Sequence, residues 1–242
     1  CFVFFVFIFF FKQETAFEIS GWLVGTGMCI RNRRIMLGRK HETWEESLSH
    51  LTLPDGSKLD VTALAPLKIG YRSTNEIMTA AKTVIGEHSV NTVWHSTRHG
   101  APVDIFRFRE RGAMVAFLAD TLEDLSVREP LASVAVLTRT REAALTLYEG
   151  LQRTDLANMR FISDQEFSFT PGIDVTDISQ TKGLEFDTVI IADADASTYG
   201  PDIRSRQLLY VGLTRAAHQL WLLHCGNQST LISGIVEKSH SN

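Results

Sequence analysis

Short apolar runs recur along this chain, each divided from the next by a stretch with helical spacing, and that alternation limits the fold more than any other feature. VDIFRF (103–108), SVAVLT (133–138), MRFIS (159–163), IDVTDI (173–178), TVIIAD (188–193) and HQLWLLHC (218–225) are short and rich in β-branched or aromatic residues, as strands are. Between them, NEIMTAAKTVIG (75–86), AMVAFLADTLEDL (113–125), REAALTLYEGLQ (141–152) and SRQLLYVGLTRAA (205–217) return apolar residues every three or four positions. Ser73 or Thr74 is placed to cap the first of these helices. A further strand is expected at VTALAPL (61–67). Strands alternating with helices of this length imply βαβ units: an α/β three-layer fold with a mostly parallel central sheet and helices on both faces. Connections are short and no repeat interrupts them, which points to one domain.

Composition narrows the function classes. The net charge is -4, which argues against a free-standing nucleic-acid binder but not against a local basic groove. The three cysteines, Cys1, Cys29 and Cys225, have no CxxC spacing, so neither a disulfide scaffold nor a zinc site is expected, and a reducing, cytoplasmic setting fits. His95 and His99 lie in a loop flanked by Gly and Pro rather than on a helix, and no metal site is expected there. Asp193 and Asp195 follow a strand and are read as turn formers. The chain opens on Cys1 and an apolar run, CFVFFVFIFFF, shorter than the roughly 20 residues of a membrane span. The following KQETAFEISGWLVGTGMCIRNRR resembles translated adapter read-through. Residues 1–34 are therefore expected to be a non-native tail, 35–57 a connector, 58–228 the domain, and 229–242 a C-terminal tail; no membrane partner is expected.

In an open parallel sheet, ligands bind beyond the carboxyl ends of the strands. Three places draw attention on that rule. Tyr71-Arg72-Ser73-Thr74 sets an aromatic beside a cation, a pairing that suits a base and a phosphate. In Gln180-Thr181-Lys182-Gly183-Leu184-Glu185, Gly183 permits close backbone approach, Lys182 offers a point charge, and Glu185 can accept a hydroxyl hydrogen bond. Leu208–Ala216 reads as a buried helix with Arg215 at its end. There a cation either answers the helix dipole or acts as an arginine finger on a phosphoryl group.

In this order, YRST, KGLEFD and LLYVGLTRA resemble motifs IV, V and VI of UvrD/Rep-type superfamily 1 DNA helicases, a resemblance spanning about residues 58–225. It implies a C-terminal RecA-like motor domain. Tyr71 would stack on adenine, Arg72 and Arg215 would reach the γ-phosphate, and Glu185 would contact the ribose. Lys182 and Gly183 would belong to a loop that senses nucleotide and touches single-stranded DNA, Gly183 on the nucleotide side and Thr181 and Lys182 toward the DNA, with Arg139 near the DNA path at a helix start. ATP and Mg²⁺ would be held mainly by a missing N-terminal motor domain. The implied partners are that domain, single-stranded or duplex DNA, and an RNA polymerase or repair protein. The alternative is a non-catalytic docking module derived from such a domain. Three positions depart from the family pattern: Gly70 stands where many relatives have Asn, and Asp177 and Ser179 replace a Thr-x-His pair. The link from Leu151 to Ile173 leaves no room for the family's large accessory insertion. No G-x-x-x-x-G-K-[ST] phosphate cradle occurs. The chain alone is therefore expected to show no DNA-stimulated ATP hydrolysis in a coupled phosphate-release assay; turnover abolished by Arg215→Ala would contradict this.

Overall fold

The computed structural model describes residues 69–70, 72–86, 95–154, 156–168 and 170–235. The expected strand at 61–67, Tyr71, the tail 1–34 and the connector 35–57 lie outside the described residues. The chain divides into two compact units, 1–70 with 90–94 and 71–89 with 95–242. Of the first, only the short strand Ile69–Gly70 (β1) is described.

The second unit opens with helix α1 (Asn75–Ile85). Thr74 caps it, its hydroxyl accepting from the Ile77 amide, so Thr74 rather than Ser73 takes the role the sequence left open. Gly86 ends the helix at φ 59, a left-handed φ that glycine adopts without steric cost. After the short strand β2 (His95–Ser96) come β3 (Asp104–Phe108), α2 (Arg111–Arg128), β4 (Ser133–Thr138), α3 (Arg141–Leu151), β5 (Met159–Phe161) and β6 (Gly172–Asp177). A 3-10 turn (Ile178–Thr181), β7 (Phe186–Ile191), α4 (Ile203–Leu213) and β8 (Ala216–Cys225) follow. Thr140 and Asp202 cap α3 and α4 through their side chains.

Strands β3 to β8 form one six-stranded sheet in the order β3-β8-β7-β4-β6-β5, and every pairing in it is parallel. The α/β architecture expected from the alternation, and the RecA-like fold implied by the resemblance, are present, with a sheet that is wholly rather than mostly parallel. Successive residues of a strand point to opposite faces. Ile190 joins Val134, Val136, Ile173, Val175 and Leu223 under α2 and α3, which contribute Met114, Leu118, Leu122, Leu147 and Leu151. Ile191, its neighbour, faces the other way and meets α4 at Gly212. Helix α1 packs on α4. Both faces are thus covered, as parallel strands buried on two sides require.

Two boundaries differ from expectation. The helical pattern ran to Ala217, but α4 stops at Leu213 and β8 begins at Ala216. Alanines fit either element, and pairing of Ala216 with Phe186 decides for the strand. The tail expected from 229 is packed up to residue 235: Leu231 and Ile232 are buried, and Ser229 donates to the Tyr199 carbonyl at 2.6 Å. Among the described residues no helix is long and apolar enough to cross a membrane.

A Cβ at Gly212 would stand 2.9 Å from Ile178 Cδ1 and 3.1 Å from Ile191 Cδ1, so α4 sits as close to the sheet as glycine allows. Gly212→Val should lower unfolding stability by about 1–3 kcal/mol through overpacking, read by urea denaturation. Unchanged stability would show that α4 is free to shift outward.

Candidate nucleotide-facing site at the amino rim of the sheet

Arg72, Glu185 and Arg215 come together, although the chain separates the first from the last by more than half its length. The Arg72 guanidinium is ion-paired with the Glu185 carboxylate, both about half exposed. Arg215 donates from Nη1 to the Leu184 carbonyl at 2.9 Å, from Nε to the Val211 carbonyl at 3.1 Å, and from Nη2 to Thr214 Oγ1 at 3.5 Å. Its guanidinium therefore touches the residue next to Glu185. Ser73 donates its buried hydroxyl to the Ala216 carbonyl at 2.6 Å, which fastens the Arg72 segment to the start of β8.

This cluster lies at the amino ends of β7 and β8, not at the carboxyl ends where the general rule for open sheets directs attention. The topology gives the reason. β6 and β7 are both parallel to β4. Residues 178–185 must therefore run from the carboxyl end of β6 to the amino end of β7, delivering Glu185 to the opposite rim. Arg215 directly precedes β8, so it is held at that same rim by the Phe186 amide, which donates to its carbonyl at 2.9 Å.

Other expected site residues fall elsewhere. Lys182 is exposed on the crossing segment, and Gly183 adopts φ 81 with open space where a side chain would be. Thr181 is buried and donates its hydroxyl to the Ile178 carbonyl at 2.8 Å, so the expected DNA contact by this side chain is corrected: it closes the 3-10 turn instead. Arg139 sits at the carboxyl end of β4, away from the arginine cluster. Its Nη1 donates to the Thr198 carbonyl and to Ser205 Oγ, each at 2.7 Å, and its guanidinium lies 5.3 Å from the Tyr199 ring centre. It binds the loop before α4 to β4, and its expected place among the DNA contacts gives way to that internal role. Asp177 caps the 3-10 turn, accepting from the amide and hydroxyl of Ser179, so the acidic departure from the family pattern is turned into the protein. His99 pairs with Glu76 at 3.0 Å.

Sequence reasoning missed Arg98, Asp187 and His218, which join the cluster through contacts that span 26 to 120 positions of chain. It also left Ser73 as one of two candidate helix caps and did not foresee its bond to Ala216. No local pattern signals such long-range partners; only the strand order does.

Two family models, each described as the UvrD-like helicase C-terminal domain, match residues 65–170 and 172–223. Among solved structures, the chain resembles the C-terminal domain of a possible DNA helicase from Lactobacillus plantarum WCFS1. The TM-score is 0.58 at 24% identity, over 69% of this chain and 94% of that one, which supports the fold. No curated protein sequence matches the chain.

Asp193 and Asp195, read from the sequence as turn formers, tie their loop to distant elements: Asp193 accepts from the Arg139 amide at 2.8 Å and Asp195 from the Cys225 amide at 2.5 Å. Burial pushes the Asp193 carboxyl up to about 6 against an ordinary value of 3.8, with the Arg139 amide and Tyr199 hydroxyl opposing it. The folded state therefore holds a proton that the unfolded chain releases, and this group's stabilisation is present at acid pH and lost as pH rises from about 4 through 6. Asp193→Asn should lack that slope, although its one acceptor oxygen keeps only one of the two hydrogen bonds that the carboxylate accepts. Urea titrations from pH 4 to 7 read the difference; parallel curves would refute the buried charge.

Proposed function

The chain belongs to the UvrD-like helicase C-terminal domain family, and on that premise we propose that it is the second motor domain of an ATP-dependent DNA helicase or translocase. In this reading it lends two arginines to ATP that a preceding domain holds with Mg²⁺. The observation that carries it is the gathering of Arg72, Glu185 and Arg215 on one rim of the sheet. Taken singly, each has a bland explanation: an exposed ion pair, or a cation after a helix. Together they form a cationic edge with a carboxylate beside it, which is what the γ-phosphate and ribose of a nucleotide presented from outside would meet.

The donor set fits a phosphate tail better than a metal. Guanidiniums ligate no cation, and the carboxylates are already engaged, Glu185 with Arg72 and Asp187 with Ser133 and His218. Mg²⁺, held by the partner domain, would supply charge that offsets the phosphates. This chain's part is to bind and orient. Without nucleotide, Glu185 occupies Arg72. An exposed pair of this kind contributes no more than about 1 kcal/mol, so a multiply charged phosphate can displace the carboxylate. Arg72 then turns to the phosphate, and Glu185 is released to accept a ribose hydroxyl. Arg215 is aimed from backbone carbonyls and needs little rearrangement, which suits a group that must meet charge developing on the transferring phosphoryl.

Of the expected DNA contacts, exposed Lys182 with its flexible neighbour Gly183 remains the best placed. The docking-module alternative drew support from Asp177 and Ser179. Ser179 donates to Asp177 from its amide and hydroxyl, so both residues also have an internal role in the 3-10 turn.

The test pairs the chain with the phosphate-loop motor domain that the reading requires and measures ATP turnover with single-stranded DNA. Arg215→Ala and Arg72→Ala should each lower kcat by about 10³-fold or more with DNA affinity retained. Lys182→Ala should leave the arginine chemistry intact and reduce the slope of log affinity against log salt by about one. Full turnover in Arg215→Ala would end the proposal.

A further inference from the structure

Arg98 belongs to none of the motifs, yet it sits where the Arg72 and Arg215 segments meet. Its Nη1 donates to the Arg72 carbonyl at 2.9 Å, and its Nη2 lies 2.9 Å from His218 Nδ1. Its own carbonyl accepts from the Asn75 amide at 2.7 Å, and its amide donates to Ser96 Oγ at 3.2 Å. Ser96 in turn donates to the Ser73 carbonyl at 2.6 Å. The loop is pressed in: a Cβ on Gly100 would stand 2.6 Å from Thr74 Cγ2 and 3.5 Å from the His218 carbonyl oxygen. Behind His218, Nε2 lies 3.6 Å from Asp187 Oδ1, and Asp187 Oδ2 accepts from the amide and hydroxyl of Ser133, each at 2.8 Å. One line of polar contacts thus runs from the Arg72 backbone through Arg98, His218 and Asp187 to the first residue of β4.

We propose that Arg98 is a positioning residue for Arg72: it clamps the Arg72 backbone to β8 three residues beyond Arg215 and so fixes the spacing of the two arginines. The inference rests on the reading of Arg72 and Arg215 given above. Only an arginine suits the place, because its planar fork offers separate donors to a carbonyl and an imidazole at once, whereas a lysine is a single point charge. The geometry also fixes the histidine. Arginine has no acceptor, so Nδ1 must supply the lone pair, and the ring proton stands on Nε2, toward Asp187.

Two measurements test the proposal. In ¹⁵N-edited NMR of the chain, His218 should show the Nε2–H tautomer, and Arg98→Ala should shift its unprotonated Nδ1 resonance and the Ser73 amide. In the chain paired with the phosphate-loop motor domain, Arg98→Ala should lower kcat by about 10- to 100-fold, the scale of a small misplacement of a catalytic group, with the KM for DNA unchanged. Arg98→Lys should recover only part of the loss. Should Arg98→Ala fail to fold, Arg98→Lys, which retains the stem and the charge, carries the same test. Turnover within about twofold of the parent in Arg98→Lys or Arg98→Ala, while Arg215→Ala is inactive, overturns this inference and leaves the motor reading standing, since a catalytic misplacement should cost far more. An active Arg215→Ala overturns both. A His218 ring protonated on Nδ1 overturns the clamp alone.

Discussion

The hydroxyl of Ser73 donates to the carbonyl of Ala216, and on that buried 2.6 Å bond the candidate site depends. It fastens the residue after Arg72 to the residue after Arg215, and without it the two guanidiniums would belong to separate surfaces. Both partners are almost wholly buried, so the bond is made away from competing water, and breaking it would leave a polar group unpaired in the interior, the costly side of hydrogen-bond energetics. Arg98 and Ser96 reinforce the same seam from the other side.

The seam lies at the amino rim of the sheet, and the carboxyl rim is used differently. There Arg139, Asp193, Tyr199 and Ser205 satisfy one another beneath the loop that leads into α4. Tyr199 is fully buried and Asp193 nearly so. Their contacts are those of a network that holds a loop, with few groups left to receive a ligand. A parallel sheet has two chemically distinct rims, and a chain that crosses from one to the other between β6 and β7 can carry charge to either. The crossing segment is also where the exposed Lys182 lies, a few residues of continuous backbone from Glu185.

Much of the fold was legible because it rests on local signals. SVAVLT is a strand at the limits its composition suggested, and Thr74, Thr140 and Asp202 cap helices for the reason such side chains do. The misreadings occurred where local signals were silent. Residues 214–217 suit a helix or a strand equally, and pairing with Phe186 chose the strand. Thr181 looked available to a ligand because polarity is visible in a sequence and burial is not. Asp177 stood out as an acidic departure from the family pattern, and its partner two residues on holds its carboxylate in a cap.

Residue order alone determined that this chain makes a parallel α/β sheet and that three polar segments interrupt its strands and helices in a recognisable succession, because periodicity and motif spacing are properties of neighbours in the chain. Tertiary structure alone decided which rim those segments reach, that Arg72 meets Glu185 while Arg139 turns inward, and that Arg98 and His218 join them. Those outcomes follow from strand order and burial, which arise only when residues far apart in the chain compete for the same hydrogen-bonding groups.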